Sequence, residues 1–128
     1  MRLLLDTVTF LWITLSDPRL SERTRQLFAD PANEVFLSVV SSWEMAVKHS
    51  LGRLPLPAPP EKFVVTQREL HGIQALPLAE ESALYVTRLP KLHADPFDRM
   101  LICQAIVHGL VLLSPDDQIA QYPVRVLW

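Results

Sequence analysis

Five short apolar runs alternate along the chain with longer segments of helical pattern. They are RLLL (2–5), EVFLS (34–38), GIQALPL (72–78), LVLL (110–113) and VRVLW (124–128). RLLL and LVLL are apolar at consecutive rather than alternate positions, which is typical of strands buried on both faces of a parallel sheet. Strands that alternate with helices pack as a parallel sheet with helices on both faces. We therefore predict an α/β fold, a three-layer α/β/α sandwich around a parallel sheet of four to five strands.

One of the helical segments, SSWEMAVKHSLG (41–52), is predicted to end at Gly52. Four apolar side chains share one face of that helix: Trp43, Ala46, Val47 and Leu51. Trp43, like the other two tryptophans of the chain, is predicted to lie in the core or in an interface.

Length and composition bound the class of protein. With 128 residues, the chain is expected to form a single domain over residues 1–128. Twelve Lys and Arg residues against 14 Asp and Glu residues give a net charge of −2, which excludes a broadly basic nucleic-acid-binding protein. The one cysteine, Cys103, cannot form an internal disulfide, and no apolar run approaches the ~20 residues of a membrane helix. We expect a cytoplasmic protein without a membrane segment.

Four acidic residues stand near predicted helix starts. Asp6 directly follows the first strand, and Asp116 follows the fourth through Ser114 and Pro115. Glu44 and Asp98 lie in the first turns of their helices. Each acid alone has a structural explanation, because carboxylates near helix N-termini are favoured by the helix dipole and by free N–H groups.

Ser41 and Glu44 also have the spacing of a capping box in SSWE. Considered together, the acids indicate more than capping. Asp6, Glu44 and Asp116 all follow strands, so in a parallel sheet they emerge at the same edge, where ligands bind in such folds. Carboxylates gathered there repel one another unless a cation lies among them. Mg²⁺ prefers such oxygen ligands, and its chemistry suits phosphodiester hydrolysis.

Four segments of the chain resemble one known family. They are LLLDT (3–7), SVVSSWEMAVKHSLGRL (38–54), LPKLHADPFDRMLICQA (89–105) and LLSPDDQIAQYPVRVLW (112–128). In this order they are similar to the PIN domains of VapC-type toxins of bacterial type II toxin–antitoxin pairs. The resemblance implies the α/β/α fold predicted above. It also implies a Mg²⁺- or Mn²⁺-dependent endoribonuclease, a cognate VapB-type antitoxin, an RNA substrate and a homodimer.

The resemblance also implies roles for individual acids. The four family acids fall on Asp6, Glu44, Asp98 and Asp116, with Asp6 and Asp98 as the metal-binding pair. Asp117 is the alternative for the fourth acid.

Several neighbours of these acids are candidates for supporting the metal site or contacting substrate. Thr7 and Ser114 are predicted either to cap helices or to hydrogen-bond a metal-bound water. Lys48 stands four residues after Glu44, which predicts an i,i+4 salt bridge or, alternatively, contact with a phosphate. Arg99 is predicted to contact RNA or to pair with an acid.

Two residues of HADPFDR (93–99) have structural predictions. Asp95 precedes a proline at the first helical position, so it is predicted to be the N-cap that leaves Asp98 free for the site, with a supporting role at the metal site as the alternative. His93 is predicted to make a structural hydrogen bond, with general-acid catalysis as the alternative.

Two rival functions remain open at this point. One is a phosphatase with Asp6 as nucleophile, although haloacid-dehalogenase-like enzymes carry a second Asp two residues later, where this chain has Val8. The other is a PIN-like module that binds RNA or protein without turnover.

Overall fold

The structure is a computed structural model that describes all 128 residues, Met1–Trp128. Five strands form one sheet: β1 (Arg2–Leu5), β2 (Glu34–Ser38), β3 (Gln74–Leu76), β4 (Val111–Leu113) and β5 (Val126–Leu127). Their order is β3-β2-β1-β4-β5, and every neighbouring pair is parallel. The predicted α/β fold with five parallel strands is confirmed.

Seven α-helices connect and follow the strands: α1 (Thr7–Thr14), α2 (Glu22–Ala29), α3 (Val39–Ser50), α4 (Pro60–Leu70), α5 (Glu80–Tyr85), α6 (Pro96–His108) and α7 (Asp117–Ala120). A short 3₁₀ helix, Val86–Arg88, continues α5. None of these helices has the length and apolar content needed to cross a bilayer.

Alternate side chains of β1 supply two hydrophobic cores, one on each face of the sheet. Leu3 and Leu5 pack with residues of α1, α3 and α4. Leu4 packs on the opposite face with residues of α6 and α7. All three leucines are fully buried, which contributes about 1.5–3 kcal/mol each relative to an exposed side chain. The central strand therefore fixes both helical layers against the sheet.

Helix α3 begins three residues earlier than the capping-box pattern predicts. Ser38, the last residue of β2, is its N-cap, and the Ser38 hydroxyl accepts a hydrogen bond from Val40 N at 3.0 Å. Ser41 is a buried residue inside the helix, so the predicted capping box of Ser41 and Glu44 is wrong. Because the strand runs into the helix without a loop, Glu44 lies in the second turn, and its carboxylate is free for other partners.

The predicted apolar face of α3 is only partly covered. Trp43 is 62% exposed and Leu51 is 61% exposed, so neither is a core residue. The Trp43 ring packs edge-on against Phe97 of α6, with centroids 5.0 Å apart.

Helix α6 begins where the sequence predicts. Asp95 is its N-cap and accepts hydrogen bonds from Phe97 N at 2.9 Å and Asp98 N at 3.1 Å. Pro96 occupies the first helical position, and Gly109 ends the helix in the left-handed conformation at φ 65° that glycine adopts without strain.

Candidate carboxylate site

Three central strands bring their carboxyl ends to one edge of the sheet. Strand β1 lies between β2 and β4, and Asp6 N donates to Leu113 O at 3.2 Å. Asp6 therefore lies in the middle of the edge, flanked by the residues that follow β2 and β4.

The carboxylate of Asp6 is 3% exposed and is held at both oxygens. Asp6 is the N-cap of α1, so Oδ1 accepts from Thr9 N at 2.8 Å. Oδ2 accepts from Ser114 Oγ at 2.5 Å. Burial raises the pKa of Asp6, the Ser114 and Thr9 hydrogen bonds oppose that rise, and the charge of Asp116 adds to it. This carboxylate is fixed in position, and its ionised form is costly without a nearby cation.

Glu44 is also buried, at 5% exposure. Its Oε1 accepts from Thr7 Oγ1 at 2.6 Å, and Thr7 Oγ1 lies 2.9 Å from Ser41 Oγ. Its Oε2 pairs with the ammonium of Lys48, which confirms the predicted i,i+4 salt bridge. Burial acts to lower the pKa of Lys48, but the hydrogen bond to Glu44 and the charges of Glu44 and nearby aspartates leave that pKa raised. Lys48 is therefore a persistent positive charge at this edge.

The negative charges of three other acids act on Asp98. Burial, then the charge of Asp95, and to a smaller extent the charges of Glu44 and Asp6, raise the pKa of Asp98 to about 6. The opposing influence is a hydrogen bond with His93, whose Nε2 lies 3.3 Å from Oδ2 of Asp98. This agrees with the predicted structural hydrogen bond of His93.

Asp116 is the N-cap of α7, and its Oδ1 accepts from Gln118 N at 2.8 Å. The backbone N–H of Asp116 donates to Ser114 Oγ at 3.1 Å. Ser114 therefore links Asp116 to Asp6 through one hydroxyl. Asp117, the alternative fourth acid, is exposed, and it is not among the charges that shift the pKa of Asp6.

Arg99 donates its hydrogen bonds to neutral oxygen atoms, and its predicted contact with RNA stays a prediction. Its side chain is largely buried and donates from Nη1 to Pro90 O at 2.8 Å and to the Tyr122 hydroxyl at 3.1 Å. No acid pairs with it, so the predicted acid partner is wrong. An open cleft of about 500 Å³ lies on this side of α6, lined by Lys91, Leu92, His93, Ala94 and Arg99.

Two polar residues at the site were not among the sequence candidates with a site role. Ser41 contacts Thr7 across 34 positions of the chain, and Tyr122 contacts His93 across 29. Ser41 was interpreted only as a capping or packing group. No local pattern marks Tyr122, because its contact depends on how distant segments pack.

The donor chemistry of the site fits a hard divalent cation. All four acids offer carboxylate oxygens, the ligands that Mg²⁺ and Mn²⁺ prefer. No three His, Cys, Asp or Glu side chains stand at mutual metal-ligand spacing, and Mg²⁺ in proteins is usually held by one or two carboxylates and several waters. Asp6 and Asp98, whose ionised forms are the most disfavoured, are the acids that a cation would stabilise most.

Comparison with known proteins gives matching results. The family model described as "PIN domain" matches residues 3–124. Ribonuclease VapC16 of Mycobacterium tuberculosis (strain ATCC 25618 / H37Rv) is 39% identical over 63 residues, which are 46% of this chain and 45% of that protein. The match thus spans less than half the length of this relative.

Solved structures resemble the chain over nearly its whole length. VapBC2 from Rickettsia felis, bound to a DNA fragment from its promoter, has a TM-score of 0.74 at 13% identity, over 99% of this chain and 98% of that chain. VapBC-1 from nontypeable Haemophilus influenzae has a TM-score of 0.64 at 18% identity, over 99% and 97%. At these identities the likeness establishes the fold, and the family match extends from β1 to the residues just before β5. The chain belongs to the PIN domain family.

Proposed function

We propose that this chain is the toxin of a bacterial type II toxin–antitoxin pair, a Mg²⁺- or Mn²⁺-dependent endoribonuclease that hydrolyses RNA phosphodiester bonds. The observation that carries the proposal is the gathering of acids at the carboxyl edge of the sheet, where Asp6 and Glu44 are buried and the Ser114 hydroxyl bonds both Asp6 Oδ2 and Asp116 N. The charge of Asp116 acts on Asp6, and the charges of Asp6 and Glu44 act on Asp98. Membership of the PIN family and the name of the ribonuclease relative support the same reaction.

Asp6 and Asp98 would hold the cation, with Glu44 and Asp116 adding negative charge around it. Bound there, a divalent cation supplies an activated water for in-line attack and stabilises charge on the leaving oxygen. The residues of the chain orient the acids: Ser114 and Thr9 N hold the Asp6 oxygens.

Thr7 and Lys48 hold Glu44 in the same way. The Lys48 ammonium is half-exposed, so it can also attract the phosphate of an approaching RNA strand.

A VapB-type antitoxin and a second copy of this chain are the proposed protein partners. The Rickettsia felis and Haemophilus influenzae structures of this fold are of VapBC2 and VapBC-1. The exposed apolar side chains of Val39 and Trp43 on α3 support a homodimer. An RNA substrate and the free thiol of Cys103 both suit the reducing environment of the cytoplasm.

The two rival functions have less support. A haloacid-dehalogenase-like phosphatase would carry a second Asp two residues after its nucleophile, where this chain has Val8. A module that only binds RNA or protein has no need of Asp6 and Asp98 at this edge, where burial raises the pKa of both and makes their ionised forms costly to the folded chain.

RNA cleavage by the purified chain, freed of any partner, tests the proposal. Wild type is incubated with RNA and either Mg²⁺ or Mn²⁺, beside Asp6→Asn and Asp98→Asn. We expect cleavage by wild type and its loss in both variants. Asp95→Asn is the matched control, because asparagine also caps helices; it is expected to keep cleaving.

Each other outcome identifies a rival. If RNA stays intact under both metals, the nuclease proposal is rejected. If that intact RNA is bound by the protein, the result favours the binding module. Hydrolysis of a phosphate monoester that depends on Asp6 would favour the phosphatase.

A further inference from the structure

The Tyr122 hydroxyl is buried next to the carboxylate site and contacts three polar groups. Tyr122 follows α7 and is 4% exposed. Its hydroxyl lies 3.1 Å from His93 N, 3.1 Å from Arg99 Nη1 and 2.7 Å from His93 Nδ1. The Tyr122 and His93 rings also pack edge-to-face, with centroids 5.4 Å apart.

Counting hydrogens assigns a direction to each of these bonds. A phenol oxygen has one hydrogen to donate and two lone pairs. The backbone N–H of His93 and the guanidinium of Arg99 can only donate, so together they occupy both lone pairs. The one phenolic hydrogen is left for His93 Nδ1, which must accept it. A neutral His93 ring therefore carries its own hydrogen on Nε2.

That tautomer determines what Asp98 receives. Nε2 of His93 lies 3.3 Å from Oδ2 of Asp98, and no other group donates a hydrogen bond to this carboxylate. With the hydrogen on Nε2, His93 is a donor to Asp98. With the hydrogen on Nδ1, two lone pairs would face each other and Asp98 would have no donor.

We propose that Tyr122 is a positioning residue: it fixes the Nε2–H tautomer of His93, which in turn orients Asp98 for the divalent cation. The inference rests on the proposed function, because it takes Asp98 as a metal ligand. Arg99 strengthens the arrangement, since its bond to Pro90 O ties the segment that carries His93 to α6. Groups that orient a ligand in this way commonly change metal affinity 10- to 100-fold when they are lost.

Two measurements on the full chain test the proposal, with Tyr122→Phe as the variant. Phenylalanine keeps the ring and removes the hydroxyl. Tyr85→Phe is the matched control, because the Tyr85 ring packs against the same core and its hydroxyl makes no hydrogen bond in the structure.

The first measurement is the ¹⁵N spectrum of the histidine rings at pH 8 without metal, with His93 assigned through His93→Gln. We expect His93 to carry its hydrogen on Nε2 in wild type and in Tyr85→Phe. In Tyr122→Phe we expect a larger share of the Nδ1–H tautomer, because Asp98 alone then favours Nε2–H. A wild-type ring with its hydrogen on Nδ1 overturns the inference, as does a Tyr122→Phe ring unchanged from wild type.

The second measurement is the Kd of Mn²⁺ by calorimetry. We expect Tyr122→Phe to raise the Kd about tenfold and Tyr85→Phe to leave it unchanged. In a His93→Gln background, which has no imidazole tautomer to select, Tyr122→Phe should have no further effect. A further loss there would mean a general packing effect and would overturn the inference.

The outcomes separate this inference from the proposed function. Mn²⁺ binding by wild type with an unaltered Kd in folded Tyr122→Phe rejects the role of Tyr122 and leaves the nuclease proposal standing. Wild type that binds no Mn²⁺ rejects the metal site and the role of Tyr122 toward it together.

Discussion

Neutral hydrogen bonds, rather than salt bridges, hold the carboxylate of Asp6. Its donors are a backbone N–H and the Ser114 hydroxyl, and no cation of the protein pairs with it. A buried carboxylate with hydrogen bonds alone remains destabilising when ionised. The metal-free protein therefore carries an electrostatic cost at its centre that a divalent cation would relieve.

Asp98 is also costly to ionise in the folded protein, and this makes the free energy of unfolding depend on pH. Burial, followed by the charge of Asp95, raises the pKa of Asp98 from 3.8 to about 6. Between these values the folded state binds more protons than the unfolded state, so stability falls as pH rises through that window and stays lowered above it. A shift of this size corresponds to ~3 kcal/mol, or roughly 1–2 kcal/mol after allowing for partial solvent screening.

We therefore expect Asp98→Asn to stabilise the metal-free protein at pH 7.5 by roughly 1–2 kcal/mol while abolishing cleavage. The measurement is thermal unfolding of both proteins from pH 4.5 to 7.5 in the presence of a chelator. The gap between the two melting temperatures should widen as pH rises. A gap that is constant over this range would show that the charge of Asp98 is not the cause.

Ser114 gives a second prediction for a single side chain. Its hydroxyl donates to Asp6 and accepts from Asp116 N. Ser114→Ala therefore leaves one buried and one half-buried partner short of a hydrogen bond. We expect a loss of about 1–3 kcal/mol in the free energy of unfolding and weaker Mn²⁺ binding, measured by urea denaturation and calorimetry. Ser114→Thr, which keeps the hydroxyl, should retain most of the stability and most of the Mn²⁺ binding. An alanine variant as stable as wild type would contradict the stabilising role of these two hydrogen bonds.

At the scale of elements, α6 gives the two aspartates of HADPFDR different roles. Asp95 caps the helix through two backbone N–H groups, and Asp98 projects from its first turn toward the other acids. We expect Asp95→Ala to destabilise the protein by about 1 kcal/mol, since the cap is lost, whereas Asp95→Ser should stay close to wild type. Thermal unfolding compares the two variants, and equal losses would mean that the charge of Asp95, not capping, provides the stability.

The ends of elements were predictable where one residue type alone fits the position. Asp95 before a proline has one good interpretation, that of an N-cap. The start of α3 was not predictable, because Ser38 and Ser41 are both suitable caps. Glu44 also has the spacing that completes a capping box with Ser41. The choice is made by β2, which pairs with β1 up to Leu37 and with β3 up to Ser38. Pairing between distant strands is not visible in a local pattern.

At the scale of the whole molecule, the order of the strands explains which parts of the site the sequence could predict. Acids that directly follow strands, such as Asp6, must emerge at the shared edge in any parallel sheet. Their hydrogen-bond partners depend on which strands are neighbours. The sequence does not state that β4 lies beside β1, and so it did not predict that Ser114 would bond Asp6.

The exposed face of α3 leads to a prediction about assembly. Trp43 is 62% exposed, and a large exposed aromatic on a mostly apolar helix face is typical of an interface centre. We expect wild type to sediment as a dimer and Trp43→Ser to raise the dimer Kd at least tenfold, measured by analytical ultracentrifugation. Leu70→Ser, which changes a residue 72% exposed at the end of α4, is the control; a monomeric wild type, or a dimer unaffected by Trp43→Ser, contradicts the proposed interface.

The pairing of β1 with β4 has a consequence for the order of events during synthesis. Asp6 belongs to the first strand made, yet the hydroxyl that holds its Oδ2 is 108 positions later in the chain. Chains emerge from the ribosome N-terminus first, so a growing chain has no complete cluster of acids until the strand Val111–Leu113 and the residues up to Asp116 have been translated and have docked. Folding itself thus delays the complete site, because an unfinished chain lacks Ser114 and Asp116 beside Asp6.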